Sequence, residues 1–197
     1  MTNDLETRLR DAVAALPDGL RAHIQRVEHE AVRFAALHGV DEGRARLAAL
    51  GHDLVRHLKG EELLRLAAEY ALTPDEVERA EPILVHGPVA AAILMRDYGV
   101  EDAELLAGID CHTTARAGMG QLEKVLFVAD KVEPHKLKRE AALAEVKQVA
   151  ESDLDAGVLR YLDYNLAQAI RRGWQVHPRS VAARNQLIEG RGHGTKT

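Results

Sequence analysis

The chain has 197 residues, of which 46% are hydrophobic and 4% aromatic, and its acidic residues outnumber the basic ones 31 to 26. This length allows one well-packed core, the composition favours helices, and the acidic excess argues against a general nucleic-acid binder. The single cysteine, Cys111, excludes an intrachain disulfide and a cysteine-based zinc site. The polar N-terminus is unlike a signal peptide, and no apolar stretch is long enough to span a membrane. We therefore expect a cytoplasmic protein that has neither a membrane nor a nucleic acid as its partner.

Apolar residues at helical spacing, divided by turn and capping signals, predict a chain of helices. The main predicted helices cover, in chain order, about residues 5–16, 20–37, 42–51, 61–70, 89–98, 102–111, 122–132, 152–171 and 179–188. Thr73 is predicted to cap a further helix, with Pro74 at its first position and Glu76 three residues after the cap. Pro134 is predicted to end the helix that carries Asp130.

The pattern also predicts how the chain is organised. It shows no internal repeat, no low-complexity linker and no strand-rich region. One all-α domain over residues 1–189 is the simplest interpretation. The tail 190–197 follows the last predicted helix, and we expect it to be mobile.

The dipeptide His52-Asp53 stands where an apolar helical run ends. Other histidines and one aspartate stand where helical patterns end or are interrupted, at His23, His86, His112 and Asp130. Imidazole combined with carboxylate suits iron, manganese, zinc or cobalt, whereas magnesium and calcium favour oxygen alone. Six such groups exceed what one catalytic zinc needs. The set therefore fits two metals that share a carboxylate, and Asp53 is the natural bridge because it directly follows a ligand histidine.

Two metals roughly 3.5–4 Å apart support a definite chemistry. They can hold a bridging hydroxide as the nucleophile and stabilise the leaving oxygen of an in-line phosphoryl displacement. A single histidine in a helix is usually a surface or core residue. The order and the residue types of all six positions, taken together, are what favour a metal centre.

This ordered pattern resembles the HD-domain metal phosphohydrolases, which are helical and take their name from the His-Asp dipeptide. A narrower resemblance, to the YqeK-type HD proteins, covers roughly residues 20–188. It depends on these stretches: His86-Gly87, His112-Thr113-Thr114 with Met119 downstream, Ala129-Asp130-Lys131-Val132-Glu133-Pro134, and His177-Pro178-Arg179-Ser180-Val181-Ala182-Ala183-Arg184-Asn185. Members of this family are symmetrical bis(5′-nucleosyl)-tetraphosphatases, which cut diadenosine tetraphosphate into two ADP with a di-iron centre.

The resemblance implies a single-domain helical HD bundle and a metal-dependent phosphohydrolase whose substrate is a dinucleoside polyphosphate and whose product is ADP. It implies the metal ligands His23, His52, Asp53, His86, His112 and Asp130. Among these, Asp53 would be the bridging ligand that positions the hydroxide, with His86 and His112 also in catalytic roles. Two metal ions are expected. They are iron by resemblance, and the ligand types leave manganese, cobalt or zinc open. The apolar helical surface also leaves a homodimer open.

Spacing and resemblance predict a substrate-binding set: Arg26, Arg56, Thr113, Thr114, Lys131, Lys136, Gly173, Trp174 and His177. Arg26 and Arg56 lie about one helical turn after the two ligands His23 and His52, so we expect them to reach phosphate. The alternative for these basic residues is a solvated charge, and for the two threonines it is ordinary loop capping. Trp174 could stack on a nucleobase, although we expect its ring to close the core.

Three positions depart from the family pattern. Arg56 stands where a lysine is usual, Ala115 where a glycine is expected, and Lys136 where an arginine is common. Arginine can hold a phosphate with two donors and lysine cannot, so substrate preference is less determined than metal binding. Two rival interpretations remain. The same site could hydrolyse a deoxynucleotide or guanosine tetraphosphate, or the fold could be a nucleotide-binding sensor with little turnover.

Overall fold

Helices make up nearly all of the regular structure in residues 2–191, the part of the chain that the computed structural model describes. In these residues they are α1 (Thr2–Ala14), α2 (Asp18–His38), α3 (Glu42–Gly51), α4 (Gly60–Glu69), α5 (Glu76–Ala80), a 3₁₀ turn (Pro82–Val85), α6 (His86–Asp97), α7 (Ala103–Cys111), α8 (Gln121–Val132), α9 (Pro134–Arg139), α10 (Leu143–Ala150), α11 (Leu154–Arg172) and α12 (Pro178–Glu189). The predicted single all-α domain is confirmed. The predicted mobile tail falls mostly on residues 192–197, which lie outside the described residues.

Helix α8 is the centre of the core. It packs against α2, α3, α7, α10 and α11, and Val125, Leu126 and Phe127 on successive faces are all fully buried. A helix buried on every side is typical of the middle of a bundle. The last turn of α8 therefore carries its polar residues, including Asp130, into the interior.

Two glycines allow helices to approach closely beside His52-Asp53 and its partners. A Cβ atom on Gly51 would lie 2.7 Å from a methyl group of Leu94, and one on Gly87 would lie 2.8 Å from the carbonyl oxygen of Ile109. Real Cβ contacts are longer than this. Gly87 faces backbone oxygens, so that position requires glycine, and a larger residue at Gly51 would require the Leu94 side chain to shift. Gly51 precedes His52 and Gly87 follows His86, so both close approaches fix the backbone next to a predicted ligand.

The capping prediction at Thr73 is wrong. Helix α5 begins later, with Asp75 as its N-cap, because the Asp75 side chain accepts from the Glu78 amide while the Glu78 side chain accepts from the Asp75 amide. This reciprocal pair satisfies two donors at once, and it lies two residues later than the Thr73–Glu76 pair that the sequence predicted. His86 also begins α6 three residues earlier than the predicted helix at 89.

Pro134 ends α8 as predicted, but it also begins α9. Proline is favoured at a first helical position because it lacks the amide hydrogen that would have no partner there. Helices α9 and α10, which the sequence pattern did not predict, follow it. None of the helices in residues 2–191 combines the length and the apolar character that a membrane crossing requires.

Ala71 adopts a left-handed backbone conformation with φ of 56° at the end of α4, where the Leu72 amide donates to the Ala67 carbonyl at 2.8 Å. This is the position that glycine usually occupies after a helix. A Cβ atom in this region costs roughly 1–2 kcal/mol. We predict that Ala71→Gly raises the free energy of unfolding by about 0.5–1 kcal/mol in urea denaturation. Ala68→Gly is the control, since Ala68 is an exposed residue inside α4. That change should lower the stability by about 0.5–1 kcal/mol, and equal effects of both substitutions would contradict the strain.

Candidate metal centre

The six residues predicted as metal ligands lie together, although they come from five helices or helix ends. His23 lies in α2, His52-Asp53 follows α3, His86 begins α6, His112 follows α7, and Asp130 lies in the last turn of α8. All except His23 are at least nine-tenths buried, and the His23 side chain is 13% exposed. These five helices therefore bring the predicted ligands together in one cluster inside the bundle.

The carboxylate of Asp53 lies between two pairs of imidazoles. Its Oδ1 atom is 3.0 Å from His86 Nε2 and 3.5 Å from His112 Nε2. Its Oδ2 atom is 3.4 Å from His23 Nε2 and 3.5 Å from His52 Nε2. Each oxygen therefore faces a different pair of ring nitrogens, as a bridging carboxylate requires.

Asp130 lies on the Oδ2 side of Asp53. Its Oδ1 atom is 3.1 Å from His23 Nε2 and 4.0 Å from His52 Nε2. The donor atoms of His23, His52 and Asp130 form a compact group that could hold an ion, and so do those of His52, Asp53 and His112. The two groups share His52, so they form one continuous candidate metal-binding cluster.

Three of the histidines are oriented in the same way. The Nδ1 atoms of His52, His86 and His112 each contact the backbone carbonyl three residues earlier, at 2.6 Å for His52 and 2.7 Å for His112. We assign the ring proton to Nδ1 because a carbonyl can only accept. The Nε2 lone pairs then face Asp53 and each other, with the Nε2 atoms of His86 and His112 3.0 Å apart. The His23 ring uses a carboxylate for the same purpose, with its Nδ1 3.4 Å from Oε1 of Glu133.

The cluster leaves polar atoms without hydrogen-bond donors. Both carboxylate oxygens of Asp53 and the Nε2 atom of His52 are buried and have no hydrogen-bond partner. Burial lowers the pKa of His52 to about 3, so the ring is neutral. An ionised carboxylate among neutral lone pairs is costly unless a cation neutralises it. The residues therefore fit transition-metal ions in both donor type and charge.

The two predicted phosphate-binding lysines contact Asp130. Lys131 Nζ lies 2.7 Å from Oδ2, and Lys136 Nζ lies 2.6 Å from Oδ1 and 2.6 Å from the backbone oxygen of Asp130. Burial would raise the pKa of Asp130, but these two lysines hold it well below its usual range. Lys136 and His23 both contact Oδ1 of Asp130. The Lys136 side chain is also partly exposed, so it lies between the candidate centre and the surface.

A cleft of about 430 Å³ opens over the His86 and His112 side of the cluster. We call it the α11 cleft, and its lining residues are Arg56, His86, His112, Thr113, Asp130, Lys131, Lys136, Arg139, Glu140, Leu143, Tyr161, Tyr164, Asn165, Gln168, Arg172 and Trp174. Five members of the predicted substrate-binding set are among them. Apart from Lys136, the contributions of α9, α10 and α11 were not predicted. A signal existed in α11, where Tyr161, Tyr164, Gln168 and Arg172 repeat at helical spacing.

A second cleft of about 330 Å³ opens over the His23 side. We call it the α2 cleft, and its lining residues are Gly19, Leu20, His23, Arg26, Asp53, Arg56, Glu133, His135, Lys136 and Arg139. Arg26 lies here and donates through Nε to Glu133 at 2.5 Å. Glu133 is 1% exposed and contacts both His23 and Arg26, so it orients the two side chains together.

The expectation that Trp174 closes the core is wrong, because its side chain is 57% exposed at the mouth of the α11 cleft. The Arg172 guanidinium lies over its ring, 4.7 Å from the centroid. The position therefore suits a ring that stacks on a ligand better than one that fills the interior.

Three predicted substrate-binding residues line neither cleft. Thr114 is buried, and its hydroxyl donates to the next backbone carbonyl at 3.0 Å. Gly173 has a φ of 67° and ends α11. His177 caps α12 by accepting from the Arg179 amide at 3.1 Å, and its Nε2 faces Asp75 of the α5 cap at 3.3 Å. These positions serve helix ends and loop geometry.

The sequence and the fold are both similar to those of known or predicted hydrolases. No protein-family model matches the chain. The symmetrical bis(5′-nucleosyl)-tetraphosphatase of Bacillus subtilis is 31% identical over 168 residues, which cover 85% of this chain and 89% of that protein. The protein of the same name from Halalkalibacterium halodurans is 30% identical over 166 residues, which cover 84% of this chain and 87% of that protein. The crystal structure of a predicted HD superfamily hydrolase involved in NAD metabolism from Clostridium acetobutylicum superposes with a TM-score of 0.88 at 28% identity, covering 93% of this chain and 97% of that one. The expected HD-domain fold is confirmed.

Because both buried oxygens of Asp53 lack a hydrogen-bond partner, we predict that the stability of the protein depends on a bound cation. A metal present at about 100 times its dissociation constant should raise the free energy of unfolding by about 2.7 kcal/mol, as measured by thermal or urea denaturation with Mn²⁺ or Fe²⁺ against a chelator. Asp53→Asn should remove most of this increase, and in chelator it should be at least as stable as the original chain because it removes a buried carboxylate that accepts no hydrogen bond. Asp11→Asn, at an exposed residue of α1, should keep the full increase. An Asp53→Asn variant that is much less stable in chelator would contradict this explanation.

Proposed function

The chain belongs to the symmetrical bis(5′-nucleosyl)-tetraphosphatase family, and we propose that it hydrolyses dinucleoside tetraphosphates symmetrically, converting diadenosine tetraphosphate into two ADP. One observation carries the proposal: the two oxygens of a buried carboxylate, Asp53, face two separate pairs of imidazole nitrogens at the floor of a basic cleft. A paired metal centre beside positive charge is suited to phosphoryl chemistry.

The residues divide naturally between two metal ions. One ion would be held by His23, His52, Asp130 and Oδ2 of Asp53, and the other by His86, His112 and Oδ1 of Asp53. Iron is our first choice because of the resemblance, with manganese, cobalt or zinc compatible with the same donors. When bound, such a pair lowers the pKa of a coordinated water and neutralises charge on phosphoryl oxygens.

The chain's own residues would supply orientation, protection from water and charge. The backbone carbonyls behind His52, His86 and His112 keep each ring in the tautomer that a metal needs. The centre is buried in the bundle, which strengthens every electrostatic contact inside it. The polar and aromatic side chains of the α11 cleft would bind one nucleotide, with Trp174 placed to stack on its base.

Arginine and lysine residues around the centre would hold the phosphates. Arg56 lies 3.4 Å from Asp53 Oδ2 and also lines the cleft. It is therefore placed to stabilise negative charge that develops on phosphoryl oxygens next to that carboxylate. Lys136 contacts Asp130 and lines both clefts. Preorganised positive groups of this kind stabilise a transition state in which negative charge is redistributed over phosphoryl oxygens.

Product analysis tests the proposed reaction. We expect the protein, purified anaerobically and loaded with iron or manganese, to convert diadenosine tetraphosphate into ADP alone, as resolved by anion-exchange chromatography. ATP together with AMP would contradict symmetrical cleavage. A panel that includes deoxynucleotides and guanosine tetraphosphate tests the rival hydrolase, and tight binding of the substrate without turnover would favour the sensor.

Metal content tests the division of ligands. His52→Ala should weaken loading on one side of the centre, so we expect about one metal per chain, whereas Asp53→Ala should abolish the paired centre because it serves both positions. The measurement is metal analysis by mass spectrometry on anaerobically purified protein, with circular dichroism to show that each variant is folded. Full and equal metal content in both variants would refute the assignment.

A further inference from the structure

The α11 cleft and the α2 cleft meet at the candidate metal centre from different sides. The α11 cleft reaches the centre at His86 and His112, and the α2 cleft reaches it at His23 and Asp53. Asp53 is also the residue whose oxygens face the two sides. An extended ligand bound across the centre would therefore have one end in each cleft.

Three basic residues line both clefts: Arg56, Lys136 and Arg139. Arg139 is exposed, and no ion pair or hydrogen bond of its guanidinium occurs among the described residues. Most arginines of this acidic chain, by contrast, contact a carboxylate or a carbonyl. A group of cations at the junction of two clefts matches a chain of phosphates that passes from one to the other.

The two clefts differ in the chemistry that they offer to a nucleoside. The α11 cleft contains three aromatic rings and the amide side chains of Asn165 and Gln168, which can stack on a base and bond to its edge. The α2 cleft is lined by Gly19, Leu20 and His135 besides its charged residues, and it contains no amide side chain. Its cavity of about 330 Å³ falls within the size range of small-molecule sites.

We propose that the α2 cleft is a second nucleotide subsite, which binds the other nucleoside diphosphate half of the substrate with little discrimination between bases. The inference rests on the proposed function. The four phosphates cross the centre beside Arg56, Lys136 and Arg139, one nucleoside lies in the α11 cleft, and the other lies in the α2 cleft. A substrate with two different bases would then bind with its preferred base in the α11 cleft.

Gly19→Phe is the variant that tests the subsite. Gly19 is exposed in the first turn of α2, and a Cβ atom there meets nothing within 4 Å, so a ring can enter the cleft without displacing the protein. We expect the KM for diadenosine tetraphosphate to rise by about tenfold or more with a much smaller change in kcat. Asp18→Phe is the matched control, since it adds the same ring one residue earlier at a side chain that is 94% exposed and lines neither cleft. It should keep the original KM.

ADP binding gives a second readout that does not require turnover. Trp174 is the only tryptophan and lies in the α11 cleft, so quenching of its fluorescence reports ADP in that cleft. Metal-loaded protein should bind two ADP per chain by equilibrium dialysis, and Gly19→Phe should lose the weaker one while the tryptophan titration stays unchanged. One ADP per chain, an unchanged KM in Gly19→Phe, or equal loss of both ADP sites would overturn the subsite. Two ADP per chain without cleavage of the tetraphosphate would instead contradict the proposed reaction and leave the subsite standing.

Discussion

The buried carboxylate of Asp53 is the constraint on which the arrangement of the bundle depends. An ionised group that is 1% exposed and has no hydrogen-bond donor is unfavourable in a protein interior. Imidazole nitrogens from four separate places in the chain surround the carboxylate. This arrangement suits a cation that the carboxylate and the imidazoles would share. The positions of α2, α3, α6 and α7 are thereby tied to the two oxygens of one side chain. A shift in any of these helices would alter the distance between a nitrogen and a carboxylate oxygen.

The histidines solve a problem of helix structure as well as one of metal binding. The last carbonyls of a helix have no partner within it. His52 and His112 stand directly after α3 and α7, and each ring donates to a carbonyl in the helix that it follows. The same contact satisfies a buried backbone oxygen and sets the tautomer that leaves Nε2 free. This double role explains why a site of this kind is built at helix ends, which Gly51 and Gly87 allow to approach closely.

Much of this arrangement could be predicted because it is local. Helical periodicity located nearly every long helix, and the placing of histidines at helix ends indicated a common cluster before any distance was known. The extent of the cleft could not be predicted in this way. Pro134 was interpreted as a stop, although proline equally begins a helix, so the two helices that bring Arg139 and Leu143 to the cleft were missed. Trp174 was expected to close the core rather than to stack on a base, and its exposure depends on where α11 ends relative to the cleft.

The balance of charge connects the centre to the kind of ligand that it would accept. Asp53 and Asp130 carry two negative charges. Lys131 and Lys136, both in contact with Asp130, balance them, and Arg56, 3.4 Å from Asp53, adds a positive charge. The nearby Glu133 is matched by Arg26. Divalent ions added to this set would leave the centre strongly positive inside a chain that is acidic as a whole. In a buried site such a charge is poorly screened, so it favours an anion that can approach with several charges at once. A polyphosphate has this property along its whole length, and the basic residues at the junction of the two clefts extend the positive potential in the direction that such a chain would take.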